Sequence, residues 1–97
     1  MPLTHAVPTG FIPTKNAETA RAFYEETLGL RFVADEPFAL VFRLGSEPGS
    51  DLRIVKMGPK YQPTEFTIFG WEVEGIEQAV DELTAKGVQF SRYEGME

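Results

Sequence analysis

Two stretches of the chain repeat one pattern, and that repeat limits what the chain can fold into. Residues 20–32, ARAFYEETLGLRF, and residues 78–90, QAVDELTAKGVQF, each read as an amphipathic helix, then a glycine, then the start of a strand. Gly29 corresponds to Gly87, Leu30 to Val88 and Phe32 to Phe90, each pair 58 residues apart. Identity elsewhere is low, so pattern is what recurs. A helix with one apolar stripe has to bury it against another element, and the residues around both helices have strand character. A first unit from about Thr9 to Met57, copied at this spacing, runs past the last residue, Glu97. The second copy is therefore expected to lack its final strands.

The flanking residues define the elements. Residues 8–14, PTGFIPT, mix β-formers with two prolines and suit an edge or irregular first strand. Asn16 is a good N-cap, and Glu18 puts negative charge in the first turn. Ala17, Ala20, Phe23, Tyr24 and Leu28 fall on one helical face, with Glu18, Arg21, Glu25 and Glu26 outside. Gly29 ends the helix by taking a left-handed conformation. Strands are expected at residues 30–34, 39–44 and 52–57, separated by Asp35-Glu36-Pro37 and by a turn cluster at residues 45–50. Such short connections imply antiparallel neighbours. Residues 58–63 are the best linker. The second copy then supplies an aromatic, β-branched strand at 65–73, a helix with Ile76, Ala79, Val80 and Leu83 on its stripe, Gly87 as stop, and a strand at 88–93.

The fold class is thus α+β. The chain is one domain over residues 1–97, with module one at about 8–58 and a partial module two at about 65–97. Ninety-seven residues suffice for one modest core. Nine Lys plus Arg stand against fifteen Asp plus Glu, a net charge of −6, and the basic residues are scattered. Nucleic-acid binders instead gather Lys and Arg on one face, so nucleic acid is not expected as a partner. No apolar run approaches the roughly 20 residues that span a bilayer, and no membrane partner is expected. With no cysteine there is no disulfide framework and no thiolate ligand or nucleophile, which fits a cytoplasmic location.

The segment Asn16-Ala17-Glu18-Thr19-Ala20-Arg21-Ala22-Phe23-Tyr24, running into Leu28-Gly29-Leu30-Arg31-Phe32, resembles the vicinal oxygen chelate superfamily of glyoxalases, bleomycin-resistance proteins and dioxygenases. Residues 76–83 and Lys86-Gly87-Val88 extend the likeness over nearly the whole chain. The resemblance implies paired βαβββ modules that curl into an open, barrel-like cleft, here with the second module incomplete. It also implies a small-molecule ligand and a homodimer.

Enzymes of that superfamily commonly hold a divalent metal with His and Glu ligands. The resemblance places the first ligand position at Thr9, 20 residues before Gly29. Its counterpart in the second half falls near Phe66, where a one-residue slip reaches Glu65 or Thr67. The remaining carboxylate belongs to a last strand that this chain does not contain. A threonine hydroxyl is a poor ligand for a catalytic divalent ion and phenylalanine has no lone pair, whereas such sites use several carboxylates or imidazoles. The one histidine, His5, lies before the first strand. No metal and no other cofactor are expected, and no catalytic residue is assigned.

Strand alternation converts the resemblance into a wall. If Thr9 faces the cleft, so does Phe11, and the resemblance carries the same parity to Val41, Arg43, Arg53, Val55 and Met57, joined by Phe66 and Ile68 from the second half. These nine are the expected ligand-binding residues. Mainly apolar with two guanidinium groups, the wall suits a small, partly apolar ligand and can accommodate an anionic group on it. The structural alternative is that Arg43 and Arg53 pair with surface carboxylates. Trp71 has the opposite parity and is expected in the core. Tyr24 and Tyr61 suit a rim or a dimer contact. No Gly-rich phosphate loop opens a helix, and a Ser-His-Asp arrangement would require His5.

Three functional readings follow. The first is a metal-free small-molecule binding protein of the glyoxalase/bleomycin-resistance type, acting by sequestration or sensing. The alternative is a lactoylglutathione-lyase-like or related enzyme whose metal ligands come from a partner chain or from absent C-terminal residues. The third is a structural module with a filled cleft. An open second module leaves an unpaired edge, so the native product is expected to continue for at least about twenty residues or to be covered by a second copy.

Overall fold

The computed structural model describes residues 3–46, 49–64 and 66–90. The chain divides into two compact units, Met1–Gln62 and Pro63–Glu97. The first contains β1 (Thr9–Thr14), α1 (Ala17–Ala22), a π-helical turn (Phe23–Thr27), β2 (Arg31–Asp35), β3 (Ala39–Leu44), β4 (Ser50–Lys56) and a 3-10 turn (Gly58–Lys60). The second contains α2 (Ile76–Ala85).

The four strands form one sheet in the order β1-β4-β3-β2. The two short connections make antiparallel pairs, β2 with β3 and β3 with β4, while β1 returns parallel to β4. Pro13 has no N–H to donate, and β1 sits accordingly at an edge. Leu40 and Phe42 of β3 and Leu52 and Ile54 of β4 are paired across the ladder and fully buried. They face α1: Ala20 is buried, the Tyr24 ring lies 5.9 Å from that of Phe42, and Phe32 meets Phe42 edge-on at 5.6 Å. The Arg21 guanidinium caps this cluster from outside, 3.8 Å from the centre of the Phe32 ring.

The expected helix forms, but it is not uniform. Asn16 Oδ1 accepts the Thr19 N–H at 3.1 Å as the cap. After one and a half turns the α-helix widens into the π turn at Phe23-Tyr24-Glu25-Glu26-Thr27. The repeat explains the widening. Gly29 lies 13 residues after its cap, Asn16, whereas Gly87 lies 12 after its cap, Gly75. A π turn absorbs one inserted residue without breaking the helix. Both glycines end their helices at positive φ, 75° and 95°. At the second, Val88 N–H donates to Leu83 O and Gly87 N–H to Thr84 O, both at 3.0 Å, the double closure of a Schellman motif.

The second unit departs from expectation. Among its described residues, 66–73 form no strand, although they are aromatic and β-branched like one. A strand needs a hydrogen-bonded neighbour, and none of the ladders includes this segment. The strand expected at 88–93 is likewise not formed at 88–90, and its remainder lies outside the described residues, as does Glu65. Trp71 is not a core residue: it is 47% exposed and stacks edge-on with Phe69 at 5.2 Å. No residue of α2 is buried, and Gly75 offers it no side-chain cap.

Candidate functional site

The sheet face opposite α1 collects the first-unit residues expected to bind ligand. Cross-strand partners share a face, so the registers define its rows. One row runs Phe11, Arg53, Val41, Ala34 from β1 to β2. The next runs Thr9, Asp51, Arg43, Arg31, and a third holds Pro13, Val55 and Ala39. Met57 follows β4 at the same parity, its N–H donating to Thr14 O at 2.8 Å. Thr9, Phe11, Val41, Arg43, Arg53 and Val55 therefore stand together. Phe66 and Ile68 belong to the second unit, where both are exposed and neither is in a strand.

The central row grades from open to closed. Phe11 at the edge is 61% exposed, Arg53 is half-buried, and Val41 is buried. Both arginines have carboxylate partners. Arg43 Nε donates to Asp51 Oδ1 at 2.7 Å, and Arg53 Nη2 donates to Glu36 Oε1 at 2.5 Å. The second pair depends on a bulge. Phe32 pairs with Phe42 and Ala34 with Val41, so Val33 is an extra residue in β2. Beyond a bulge the alternation inverts, which turns Ala34 and Glu36 towards the Arg53 face. Asp35 instead meets Lys56 Nζ at 2.5 Å.

Sequence reasoning missed three members of this face. Arg31 lies directly across from Arg43, Asp51 lies between Thr9 and Arg43, and Glu36 arrives through the bulge. Hairpin register would have placed Arg31 and Asp51. Nothing in the residue types of β2 announces the bulge. The resulting rows carry three guanidinium groups against two carboxylates on a chain of net charge −6.

A divalent metal does not fit at Thr9. Its neighbour across the ladder is Asp51, whose carboxylate already accepts from Arg43, so the position offers one hydroxyl beside an occupied carboxylate and a fixed positive charge. Among the described residues, no three His, Cys, Asp or Glu side chains come together as a metal-binding group. No helix among them is long and apolar enough to cross a membrane. Among the described residues, burial, and secondarily the charge of Tyr61, push the phenol of Tyr24 above its ordinary value.

Comparison with known proteins places these observations. The structure is similar to the crystal structure of a glyoxalase/bleomycin resistance protein from Streptomyces sp. CB03234, with a TM-score of 0.63 and 21% identity over 87% of this chain and 76% of that one. It is also similar to an integron cassette protein from the mobile metagenome of V. cholerae, with a TM-score of 0.57 and 14% identity over 86% of this chain and 68% of that one. At these identities the likeness concerns the fold. No curated protein matches the sequence. The family model described as Glyoxalase/Bleomycin resistance protein/Dioxygenase superfamily matches residues 3–95. With the βαβββ sheet, the stop glycines and that match in agreement, the chain belongs to the glyoxalase/bleomycin resistance protein/dioxygenase superfamily.

Proposed function

We propose that this chain is a metal-free small-molecule binding protein, acting by sequestration or sensing, with the face opposite α1 as its ligand wall. The observation that carries the reading is the row Phe11–Arg53–Val41: an exposed aromatic ring, a guanidinium and a buried aliphatic side chain in register on neighbouring strands. An apolar surface with a few oriented polar groups is how small-ligand sites are built. A planar guanidinium suits a carboxylate or phosphate on that ligand. Glu36 competes for Arg53, so an anionic ligand has to displace or share that contact.

Thr9, Val55 and Met57 extend the wall, and Arg43 is held back by Asp51. Phe66 and Ile68 carry the same expectation from the repeat alone. A cytoplasmic homodimer is the setting we propose for this activity. The enzyme reading loses ground because the Thr9 position suits no metal.

Two measurements on the intact protein test the proposal. Elemental analysis is expected to find no stoichiometric zinc, nickel or iron. Thermal-shift screening with small aromatic acids is expected to give hits that Phe11→Ala and Arg53→Gln abolish. Stoichiometric metal that is lost together with an activity would overturn the reading. So would a screen in which every hit survives both substitutions.

A further inference from the structure

A second concavity lies away from that wall, where β1 turns into α1. Pro13, Thr14, Lys15, Asn16, Thr19, Ala20, Phe23 and Tyr24 enclose a groove of about 370 Å³. Ring and aliphatic surface dominates it. Phe23 and Tyr24 meet edge-on at 5.2 Å and 84°, presenting two ring surfaces at right angles. The π turn begins at Phe23 and includes Tyr24. The extra residue of the first repeat therefore sets where these two rings project relative to the rest of α1.

The charge in the groove is equally specific. Lys15 is exposed, and among the described residues no carboxylate pairs with it. Several of the polar groups beside it are already used. Asn16 Oδ1 accepts from Thr19 N–H, and the Thr14 hydroxyl both donates to Asn16 O and accepts from Asn16 N–H. The helix terminus is thus closed by its own cap, and what the groove offers a visitor is mainly ring surface and one ammonium group, with the Thr19 hydroxyl and the Asn16 side-chain N–H groups on its wall. Its volume suits a molecule of one ring and a short substituent and is too small for a helix or strand of another protein.

We propose that this groove binds a small aromatic carboxylate, with its ring against Phe23 and Tyr24 and its anionic group at Lys15. The site is distinct from the Phe11–Arg53–Val41 wall and does not depend on it. The charge complementarity is between a lone ammonium and a carboxylate, and an exposed pair of this kind contributes a few-fold in affinity. The ring contacts supply the rest.

Phenylacetate is the probe, followed by amide chemical shifts of the full-length protein. A dissociation constant of about 1 mM is expected for a ligand of that size in an open groove. Shifts should concentrate at residues 14–24. Lys15→Gln, at an exposed position where folding is unaffected, should weaken binding about three-fold, and uncharged phenylacetamide should bind the native protein about three-fold more weakly than phenylacetate. Phe23→Ala, checked for native circular dichroism, should remove the shifts. Shifts confined to Phe11, Val41 and Arg53 would overturn the groove and support the wall. Equal affinity for phenylacetamide would overturn the role of Lys15. Groove signals that move on dilution of the protein alone would identify a second copy as the occupant, and the proposal would fall.

Discussion

The two units begin from the same pattern and reach different ends. In the first, every strand has a ladder neighbour, and all the buried apolar residues found, Ala20, Ala39, Leu40, Val41, Phe42, Leu52 and Ile54, lie there. In the second, α2 and its stop glycine form as in the first. The aromatic segment ahead of them does not become a strand, and Phe66, Ile68, Trp71, Val73, Ile76 and Phe90 are all exposed. A helix closes its hydrogen bonds within itself, so its backbone needs no neighbour to be paired. A strand closes them only against a neighbour, so the same pattern without a partner stays irregular.

Amide hydrogen exchange should show this contrast most strongly. Amides of β3 and β4 are expected to exchange at least about a thousand-fold more slowly than those of residues 66–73. Equal protection in the two would break the comparison, because it would require a ladder partner for 66–73. Next in size is Leu52→Ala, which opens a cavity in the fully buried centre of the first sheet. It should cost about 3 kcal/mol in a urea titration, whereas Ile76→Ala on the exposed face of α2 should cost well under about 1 kcal/mol.

Glycines sharpen the comparison further. A Cβ at Gly49, which has φ +67°, would lie 2.4 Å from the Leu44 carbonyl oxygen, while one at Gly87 meets nothing within 4 Å. Gly49→Ala is expected to cost about 2 kcal/mol or more by chemical denaturation, and Gly87→Ala only about 1 kcal/mol, the left-handed strain alone. The smallest effect concerns Tyr24. Its phenol is raised above 10.0 in the folded state, by burial first and Tyr61 second. Above pH 10 the unfolded chain gives up this proton before the folded one does, so the folded state binds more protons and stability falls as pH rises. Urea midpoints measured between pH 9 and 11 should decline more steeply for the native protein than for Tyr24→Phe. Identical slopes would remove Tyr24 from the account.

Much of the first unit was legible because its signals are local. Asn16, the apolar stripe and Gly29 bound the helix, and the turn residues at 35–37 and 45–50 separate three strands whose short connections force antiparallel pairing. Parity, with its register carried over from the family resemblance, placed Thr9, Phe11, Val41, Arg43, Arg53 and Val55 on one face, and the ladders put these six in adjacent rows. The π turn could be seen only by counting the repeats against each other, since one extra residue leaves the apolar stripe recognisable. The bulge at Val33 left no trace in residue types, and with it went the approach of Glu36 to Arg53. Trp71 was misread because its parity was inferred from a strand that is not formed among the described residues.

By itself, then, the sequence determined where helices start and stop, which residues share a face, and membership of a superfamily through a motif that spans helix and stop glycine. These are properties set within a few residues of chain. Only the tertiary structure decided which strand-like segments become strands, which carboxylate reaches which arginine, and that Phe23 and Tyr24 border a groove. Each of those depends on groups far apart in sequence meeting at van der Waals or hydrogen-bond distance, and no local pattern encodes that meeting.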